Sequence, residues 1–534
     1  MASRPYLVTL TGDVKSPFTD SMHPEDEKIE TIDFAGIEHR SVPFPMDIAD
    51  YTEIAFADST LLSLKFPVEG SMKYYLFSRK EKASGVLEAY DLRENRLKTV
   101  ASSISGFAVS SNGEKIAIAD SENLVVAKSS ARDIDLSNSD SDDFSKIDLE
   151  RIVVSTSRKK EFRQMFRETW VLMREFYWNR EKIENIWEKV YIKYEPLLER
   201  VGSRYALSDL LRNMMGELGT SHCYEMGAEI TETESDPIAR LAADFSPSPE
   251  GIRLKSIHEG DPTSSDEKSP LRVPGYSIRE GDILVSVDSR PVKNLFDLFD
   301  SLKGMDDKTL MLRFSRDGRE FSVPVKPLRD DRHIRYRRWV EKNRKYVHEM
   351  SKNEVGYIHI PDMGPSGFNE FFRLLESETR YSSLIVDVRF NGGGHVSELL
   401  LEKLNRRRLG FDQPRYGNRV PYPSYSVSGR IVALTNEYAG SDGDIFSHSF
   451  KLMGLGKLIG KRTWGGVVGI NLDFNLVDNT EVTQPQFAFS FKDVGFAVEN
   501  YGTDPDLDVD YPPHEYLSGK DPQLDRAIEE ALSG

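Results

Sequence analysis

The stretch Ile431-Val-Ala-Leu-Thr435, followed by Ala439-Gly440-Ser441-Asp442-Gly443-Asp444, decides the fold of the C-terminal part of the chain. The apolar run predicts a buried strand, and Ile445-Phe-Ser-His-Ser-Phe-Lys-Leu452 predicts the helix that follows. The glycine-flanked Ser441 is therefore expected on a sharp strand-to-helix turn, where a serine is exposed and N–H groups point outward. That arrangement suits an acyl-transfer nucleophile, so the sequence predicts a hydrolase.

The same alternation of strands and helices extends over residues 332–534 and predicts an α/β domain with β-α crossovers. Strands are expected at Val355–Ile360 and Ser383–Arg389, and a helix at His395–Leu404. Between them, Asn391-Gly-Gly-Gly394 ends a strand and opens a helix, so a backbone N–H there can approach a substrate closely. With the N–H of Asp442, this loop could form an oxyanion hole, in which each donor lowers the barrier by about 3–4 kcal/mol. A phosphate-binding turn is disfavoured because no Lys-Ser/Thr pair follows the glycines.

The composition is that of a globular chain with several domains. Its 534 residues are too many for one core and predict about three to four domains. The net charge of −17 argues against nucleic acid as the main partner. No apolar run reaches the roughly eighteen residues of a membrane helix, and residues 1–6 lack the apolar region of a signal peptide. The single cysteine, Cys223, excludes an intrachain disulfide and a cysteine-rich zinc site, which fits a reducing, cytoplasmic setting. We expect no metal ion and no cofactor.

Four further regions precede the α/β domain. Residues 1–130 contain short apolar runs between turns, typical of β-propeller blades, although only about two or three blades are present. Residues 131–157, rich in Ser and Asp, predict a linker. Residues 158–234 predict a helical domain, and residues 235–331 return to short strands that resemble a PDZ domain, especially in Gly281-Asp-Ile-Leu-Val-Ser-Val-Asp288. Both a peptide-binding module and a rigid packing module fit the PDZ-like region.

The candidate general base for the predicted nucleophile is His222. It lies in Gly219-Thr-Ser-His-Cys-Tyr224, after a predicted helix and among small residues that leave room for a substrate. Taken alone, any one histidine is more often structural than catalytic. His448 lies about two helical turns past the serine and cannot reach it, and His395 is a weaker competitor. A cysteine-protease dyad of His222 and Cys223 is disfavoured because adjacent side chains of an extended chain point in opposite directions.

These candidates fall within five longer motifs: Gly219-Thr-Ser-His222, Asp387-Val-Arg-Phe-Asn-Gly-Gly-Gly394, Asn436-Glu-Tyr-Ala-Gly-Ser-Asp-Gly-Asp444, Thr463-Trp-Gly-Gly-Val-Val-Gly-Ile470 and Val498-Glu-Asn-Tyr-Gly502. Together the motifs resemble the archaeal tricorn protease family. The resemblance covers essentially the whole chain but only the C-terminal half of a full-length family member. It implies a multidomain α+β protein: the last blades of a second propeller, a helical domain carrying the histidine, a PDZ-like domain, and a catalytic α/β domain related to tail-specific proteases and to crotonase-like folds.

The resemblance implies a Ser-His-Ser-Glu tetrad. Ser441 matches the nucleophile and His222 the general base, while Ser221 and Glu499 match the residues that hydrogen-bond and polarise the histidine. Tail-specific proteases use a lysine downstream of the serine instead. Here Gly465-Gly466 fall where that lysine is expected, which favours histidine as the base.

The resemblance also implies residues that bind the substrate. Gly394 and Asp442 match the oxyanion-hole donors. Asp412, in Gly410-Phe-Asp-Gln413, matches an acid that lines the specificity pocket across a subunit interface and favours a basic residue before the scissile bond. The arginines that anchor the substrate's C-terminal carboxylate in the family lie on a part that this chain lacks, so no anchoring residue is assigned.

The implied activity is that of a serine endopeptidase or oligopeptidase that trims cytosolic oligopeptides, such as proteasome products, for aminopeptidases to finish. The implied assembly is a homohexamer of two stacked trimers, with the missing propeller half supplied by a separate chain or a fusion. Two alternatives remain. One is a catalytically silent peptide-binding scaffold, and the other is a crotonase-like acyl-CoA enzyme, which needs no serine nucleophile at a helix start.

Overall fold

The computed structural model describes residues 3–12, 16, 18, 31–66, 85–120, 122–136, 144–226, 237–261, 268–306 and 308–533. It divides into two compact units, Met1–Thr156 and Ser157–Gly534. Among the described residues, no helix has the length and apolar character needed to cross a membrane.

The first unit is built from antiparallel sheet. Its strands are β1 Tyr6–Val8, β2 Ser41–Pro43, β3 Asp50–Ala57, β4 Thr60–Phe66, β5 Gly85–Asp91, β6 Arg96–Ile104, β7 Gly106–Val109, β8 Lys115–Ala119, β9 Leu124–Lys128 and β10 Phe144–Lys146, with a 3-10 helix at Ile37–His39. Strands β3–β6 form one four-stranded sheet and β7–β10 form another, each strand pairing with the next. Two such sheets have the form expected of propeller blades. A further expected strand, Tyr74–Phe77, lies outside the described residues.

The linker interpretation of residues 131–157 is wrong for part of that stretch. Strand β10 pairs with β9 as the fourth strand of the second sheet. Ile134 and Leu136 are buried in the core of the first unit, and Ile134 bridges to Ala101. The Ser/Asp-rich composition outweighed these few apolar residues in the sequence interpretation. Their buried apolar surface stabilises the packing of the segment against the sheets. Asp140, Asp142 and Asp143 lie outside the described residues.

The second unit begins with a helical layer. Its helices are α1 Arg158–Phe176, α2 Arg180–Tyr194 and α3 Arg204–Gly216, with a 3-10 helix at Glu195–Arg200 and a short strand β11 at Glu225–Met226. The periodic apolar residues of α1 and α3 face one core, which also takes in Leu476 and Val482 from the C-terminal part of the chain. Strand β11 pairs with Glu481–Val482. The helical layer is therefore docked on the segment that follows the candidate nucleophile.

The PDZ-like region forms a six-stranded antiparallel sheet with one helix. Its elements are β12 Ala243–Ser248, β13 Gly251–Ile257, β14 Ile283–Val287, β15 Arg290–Pro291, α4 Leu295–Leu302, β16 Leu310–Arg316 and β17 Arg319–Val325. The strand order is β12-β13-β14-β16-β17, and β15 pairs with β14.

The C-terminal domain has a five-stranded parallel sheet, as its β-α pattern predicts. Its elements are α5 Arg332–Met350, β18 Val355–His359, α6 Pro365–Glu378, β19 Ser383–Asp387, α7 Ser397–Leu404, β20 Gly410–Asp412, β21 Val420–Tyr422, β22 Ile431–Thr435, α8 Asp442–Leu452, β23 Gly456–Gly460, β24 Val468–Asn471, β25 Glu481–Val482, β26 Gln484–Ala488, β27 Leu507–Asp508, α9 Pro513–Leu517 and α10 Pro522–Leu532. The strand order is β18-β19-β22-β23-β27, with every pair parallel. All residues of β18, β19 and β22 are buried, as in a sheet covered on both faces. The carboxyl ends of β19 and β22 lead into the glycine loop and the serine turn.

Candidate active site

Ser441 lies in the turn between β22 and α8, as the sequence predicts. Its φ of 59° and ψ of −122° fall in a region that non-glycine residues rarely adopt. Helix α8 begins at the next residue, and the N–H groups of Asp444 and Ile445 donate to the Ser441 carbonyl at 2.9 and 3.2 Å. A strained backbone at a strand-to-helix turn is the geometry that exposes a nucleophilic hydroxyl.

The glycine loop after β19 lies directly against this turn. Gly393 has a φ of 81°, and a Cβ atom added there would lie 2.5 Å from Ser441 Cβ and 3.0 Å from Ser441 Oγ. Gly394 has a φ of 151°, and its Cβ would lie 2.0 Å from the Met363 carbonyl oxygen. Glycine at position 393 lets the loop backbone lie against Ser441, and glycine at position 394 lets the loop pack on the Met363 backbone.

Two backbone N–H groups beside Ser441 make no hydrogen bond to any residue that the structure describes. They belong to Gly394 and Asp442. The bonds on either side of Gly394 fix the loop, because Met363 N–H donates to the Gly393 carbonyl and His395 N–H donates to the Met363 carbonyl, both at 2.7 Å. Asp442 is the first residue of α8, where an N–H has no intrahelical acceptor. Two free donors on adjacent segments are what an oxyanion hole requires.

Buried polar side chains tie these segments together. Asn391 Oδ1 accepts a hydrogen bond from Gly393 N–H at 2.9 Å, and the Asn391 carbonyl accepts one from Gly440 N–H at 3.0 Å. The Asp442 carboxyl group accepts hydrogen bonds from the backbone N–H and the hydroxyl of Ser397, the first residue of α7. Burial raises the pKa of the Asp442 carboxyl group. The glycine loop, the serine turn and α7 are thereby held as one piece.

His222 lies in the corner that follows α3, and hydrogen bonds fix its imidazole. Its Nδ1 is 2.9 Å from Ser221 Oγ, which is 3.0 Å from Glu499 Oε2. A carboxylate can only accept, so the Ser221 hydroxyl donates its one proton to Glu499 and accepts from His222 Nδ1–H. That tautomer leaves Nε2 unprotonated and able to take a proton.

Glu499 also joins the helical layer to the catalytic domain. Its Oε1 accepts from Ser221 N–H at 2.6 Å and from the Thr220 hydroxyl at 3.2 Å. Its Oε2 accepts from the N–H groups of Val467 and Val468 at 2.8 and 3.2 Å. The carboxylate therefore holds the histidine corner and the segment after β23 in a fixed relation.

The surroundings of His222 favour a neutral imidazole. Burial lowers its pKa below the ordinary value, and the negative charge of Glu499 opposes that shift. The neutral form is the one that can act as a general base. At the neighbouring Cys223, burial raises the pKa of the thiol to about 12, so the nucleophilic thiolate is suppressed. This agrees with the rejection of Cys223 as the nucleophile.

Ser441 and His222 lie in the same compact unit, but no hydrogen bond joins them in the described part of the chain. The indole of Trp464 contacts both His222 and the serine turn. Its ring centroid is 5.4 Å from that of His222, and Gly440, the residue before Ser441, packs against it. Catalytic hydrogen bonds often tighten only when substrate is bound. Proton transfer from Ser441 requires that the imidazole and the hydroxyl approach each other.

The remaining sequence candidates do not join this group. Asp412 is exposed on the β20–β21 hairpin, and no described contact connects it with Ser441 or His222. His448 pairs with Asp493, with 3.1 Å between Nε2 and Oδ2. His395 is exposed.

Sequence reasoning missed two residues that support the site. Asp444 is fully buried and accepts hydrogen bonds from the N–H groups of Gly465 and Gly466 at 2.8 and 3.1 Å. Its place inside the serine motif was an available signal. Thr483 donates to the His222 carbonyl at 2.6 Å and accepts from Tyr224 N–H at 2.7 Å. It lies 261 positions from His222, so no local pattern indicates this contact.

Three family models match the second unit. They are Peptidase family S41 at residues 354–509, the Tricorn protease C1 domain at residues 158–216 and the Tricorn protease PDZ domain at residues 239–330. The PDZ match confirms the PDZ-like fold. The S41 match contains Ser441 and Glu499, and the C1 match ends six residues before His222 (222 minus 216).

Similar proteins cover the whole chain. A tricorn protease homolog of Saccharolobus solfataricus is 43% identical over 99% of this chain and 49% of its own length. The tricorn protease of Thermoplasma acidophilum is 41% identical over 99% of this chain and 48% of its own length. A putative tricorn-like protease C-terminal subunit of Sulfurisphaera tokodaii is 43% identical over 99% of this chain and 60% of its own length.

The fold agrees with these sequence matches. A crystal structure of the tricorn protease aligns with a TM-score of 0.86 and 41% identity, covering 98% of this chain and 50% of that one. The chain thus spans about half the length of most of the relatives described above. By sequence and by fold, the chain is similar to tricorn proteases over about half of their length, and its residues 354–509 match peptidase family S41.

Proposed function

We propose that this chain is the catalytic part of a serine peptidase that cleaves oligopeptides into shorter peptides. Ser441 is the nucleophile and His222 the general base, while Ser221 and Glu499 orient the imidazole. The observation that supports this most strongly is the hydrogen-bonded series Glu499–Ser221–His222, which leaves Nε2 as the free basic atom in the unit that holds the strained Ser441 turn.

In the first step, His222 Nε2 takes the proton of Ser441 Oγ as the oxygen attacks the scissile carbonyl carbon. The carbonyl oxygen becomes negatively charged and accepts hydrogen bonds from the N–H groups of Gly394 and Asp442. His222 then gives its proton to the leaving amine, and the C-terminal fragment departs from the acyl-enzyme. Water deprotonated by His222 hydrolyses the ester and frees the N-terminal fragment.

The proposed substrates are cytosolic oligopeptides such as proteasome products, with aminopeptidases completing their degradation. Asp412 would favour a basic residue before the scissile bond by charge pairing. Because the carboxylate lies on an exposed hairpin without a described contact to Ser441, it would have to act in the site of a second subunit. A homohexamer of two stacked trimers would supply that arrangement.

A partner chain or fused segment is proposed to complete the propeller. The described part of the first unit holds two four-stranded sheets, whereas a closed propeller needs at least about four blades. The Sulfurisphaera tokodaii relative is named a C-terminal subunit, which is consistent with a separate chain for the other half. Native mass spectrometry of this chain with and without such a partner tests the idea. A closed hexamer formed by this chain alone would contradict it.

Labelling with a fluorophosphonate tests the catalytic assignment. We expect one adduct at Ser441 in the wild type, none in Ser441→Ala, and normal labelling in Ser449→Ala, which changes a half-buried serine on the helix after Ser441. Peptide hydrolysis should follow the same order, with Ser441→Ala losing at least about a thousandfold in rate. A folded wild type that is neither labelled nor active would favour the peptide-binding scaffold instead.

A further inference from the structure

The indole of Trp464 contacts both His222 and the turn that carries Ser441. Its ring centroid is 5.4 Å from that of His222, with the ring planes at 76°. A Cβ atom added at Gly440, the residue before Ser441, would lie 2.8 Å from Trp464 Cε3. The one side chain therefore packs against both the base and the backbone of the nucleophile turn.

The segment that carries Trp464 is fixed on several sides. Trp464 N–H donates to the Ala439 carbonyl at 3.0 Å, next to the serine turn. The next two residues are bonded to the buried Asp444 through their N–H groups. A Cβ at Gly466 would lie 2.2 Å from Trp464 Cζ3, so Gly466 as well as Gly440 packs closely against the ring. The position of the indole is set by the catalytic domain and not by His222.

We infer that Trp464 is a positioning residue for His222: it fixes the imidazole against the serine turn and keeps water away from it. The inference rests on the proposed function and deepens it. A near-perpendicular aromatic contact of this kind adds geometric preference to area burial. Because 48% of Trp464 remains exposed, the ring can cover one side of the imidazole while leaving space for a substrate beside it.

The pKa of His222 should depend on its contact with Trp464. Burial is the main cause of its lowered pKa, and the described charged group that acts on it is Glu499. The other titratable neighbours are Tyr224, whose ring centroid is 5.8 Å away, Cys223 and Tyr177; burial raises the pKa of all three, so they stay neutral near pH 7. Removing the indole hydrates the imidazole and should move its pKa upward, toward the ordinary histidine value.

The test measures the rate of fluorophosphonate labelling of Ser441 against pH in the full chain, for the wild type, Trp464→Ala, Trp464→Phe and Trp339→Phe. The labelling rate reports the pKa of the base in the free enzyme. For Trp464→Ala we expect a higher midpoint pH and a rate lower by roughly tenfold to a hundredfold, because the base is misplaced. Trp464→Phe keeps an aromatic ring at this position, so its midpoint pH and its labelling rate should both lie closer to the wild-type values. Trp339 contacts His359 and not His222, so Trp339→Phe should keep the wild-type midpoint.

A second measurement applies even if Trp464→Ala fails to fold. A protonated imidazole quenches a neighbouring indole, so the wild-type emission minus that of Trp464→Phe should show a titration step below the ordinary histidine pKa of about 6.5, since burial lowers the pKa of His222. The midpoint pH of that step should equal the midpoint pH of the Ser441 labelling rate. A folded Trp464→Ala with wild-type rate and midpoint, or a difference emission that does not titrate, overturns the inference. Absence of Ser441 labelling in the wild type would instead overturn the proposed function.

Discussion

The serine turn and the histidine corner are built in different ways. The serine turn is held mainly within its own domain, by the helix start after Ser441 and by the glycine loop on the neighbouring parallel strand. The histidine corner depends on distant residues: Glu499 lies 278 positions from Ser221, and Thr483 lies 261 positions from His222. Both Ser441 and His222 have positive φ values, 59° and 57°. The two strained residues are therefore stabilised by one local and one long-range set of contacts.

This difference predicts where each half fails. Changes in the glycine loop should damage the nucleophile and leave the docking of the helical layer unaffected. Changes at Glu499 or Thr483 should damage the base or its docking, while the serine turn keeps its shape. Labelling rates, pH profiles and stability measured on the same variants can separate the two outcomes.

Among the residues that support Ser441 and His222, the largest effect is expected for Glu499→Gln, on the histidine side. The amide is nearly the same size, but it removes the charge that supports the imidazolium, and its NH2 group donates where one oxygen of Glu499 accepts hydrogen bonds. We expect kcat to fall by about 10²- to 10⁴-fold with little change in KM. The exposed Glu437 beside the serine turn provides a matched control, and Glu437→Gln should behave as the wild type.

The same variant makes a prediction about pH. The negative charge of Glu499 raises the pKa of His222, so its removal lowers that pKa further. In the proposed mechanism the neutral imidazole is the active form, so the acid limb of the rate profile should move to lower pH while the plateau falls. Trp464→Ala should move the acid limb in the opposite direction, to higher pH. An unchanged midpoint in Glu499→Gln would show that its charge does not act on the imidazole.

A somewhat smaller loss is expected on the serine side, for Gly393→Ala. The added methyl group would lie 2.5 Å from Ser441 Cβ, at a backbone φ of 81° that disfavours alanine. We expect labelling of Ser441 to fall by roughly a hundredfold, because the hydroxyl is displaced. Gly392→Ala is the control, since nothing lies within 4 Å of a Cβ at that position. Equal labelling rates for the two variants would contradict the close approach of the loop.

The local half of the site could be predicted from the sequence, and the long-range half only in part. The buried strand, the glycine-flanked serine and the helix after it are consecutive in the chain, so their pattern predicts the turn directly. His222 stood out by its small neighbours, but Ser221 and Glu499 were indicated only by the family resemblance. Their geometry depends on how the helical layer docks on the C-terminal domain, which no local periodicity encodes.

Two errors have the same physical origin. The Ser/Asp-rich composition of residues 131–157 predicted a linker, but Ile134, Leu136 and strand β10 are held by the sheets of the first unit. Helix α7 begins at Ser397 rather than at the expected His395, and the Asp442 carboxylate accepts a hydrogen bond from the N–H of that first residue. In both places a tertiary contact overrides local propensity.

The smallest effect on rate is expected for Thr483→Val, which removes a hydroxyl that hydrogen-bonds the backbone of the histidine corner. Thr483 is fully buried and bonds both the His222 carbonyl and the Tyr224 N–H. Valine has the same shape but leaves both groups unpaired, so we expect the free energy of unfolding to fall by about 1–3 kcal/mol. Thr483→Ser retains the hydroxyl and should lose less. Urea unfolding and the labelling rate, measured together, decide what the contact does: a stable Thr483→Val protein labelled as slowly as Glu499→Gln would mean that the backbone of His222, and not only its side chain, sets the position of the base.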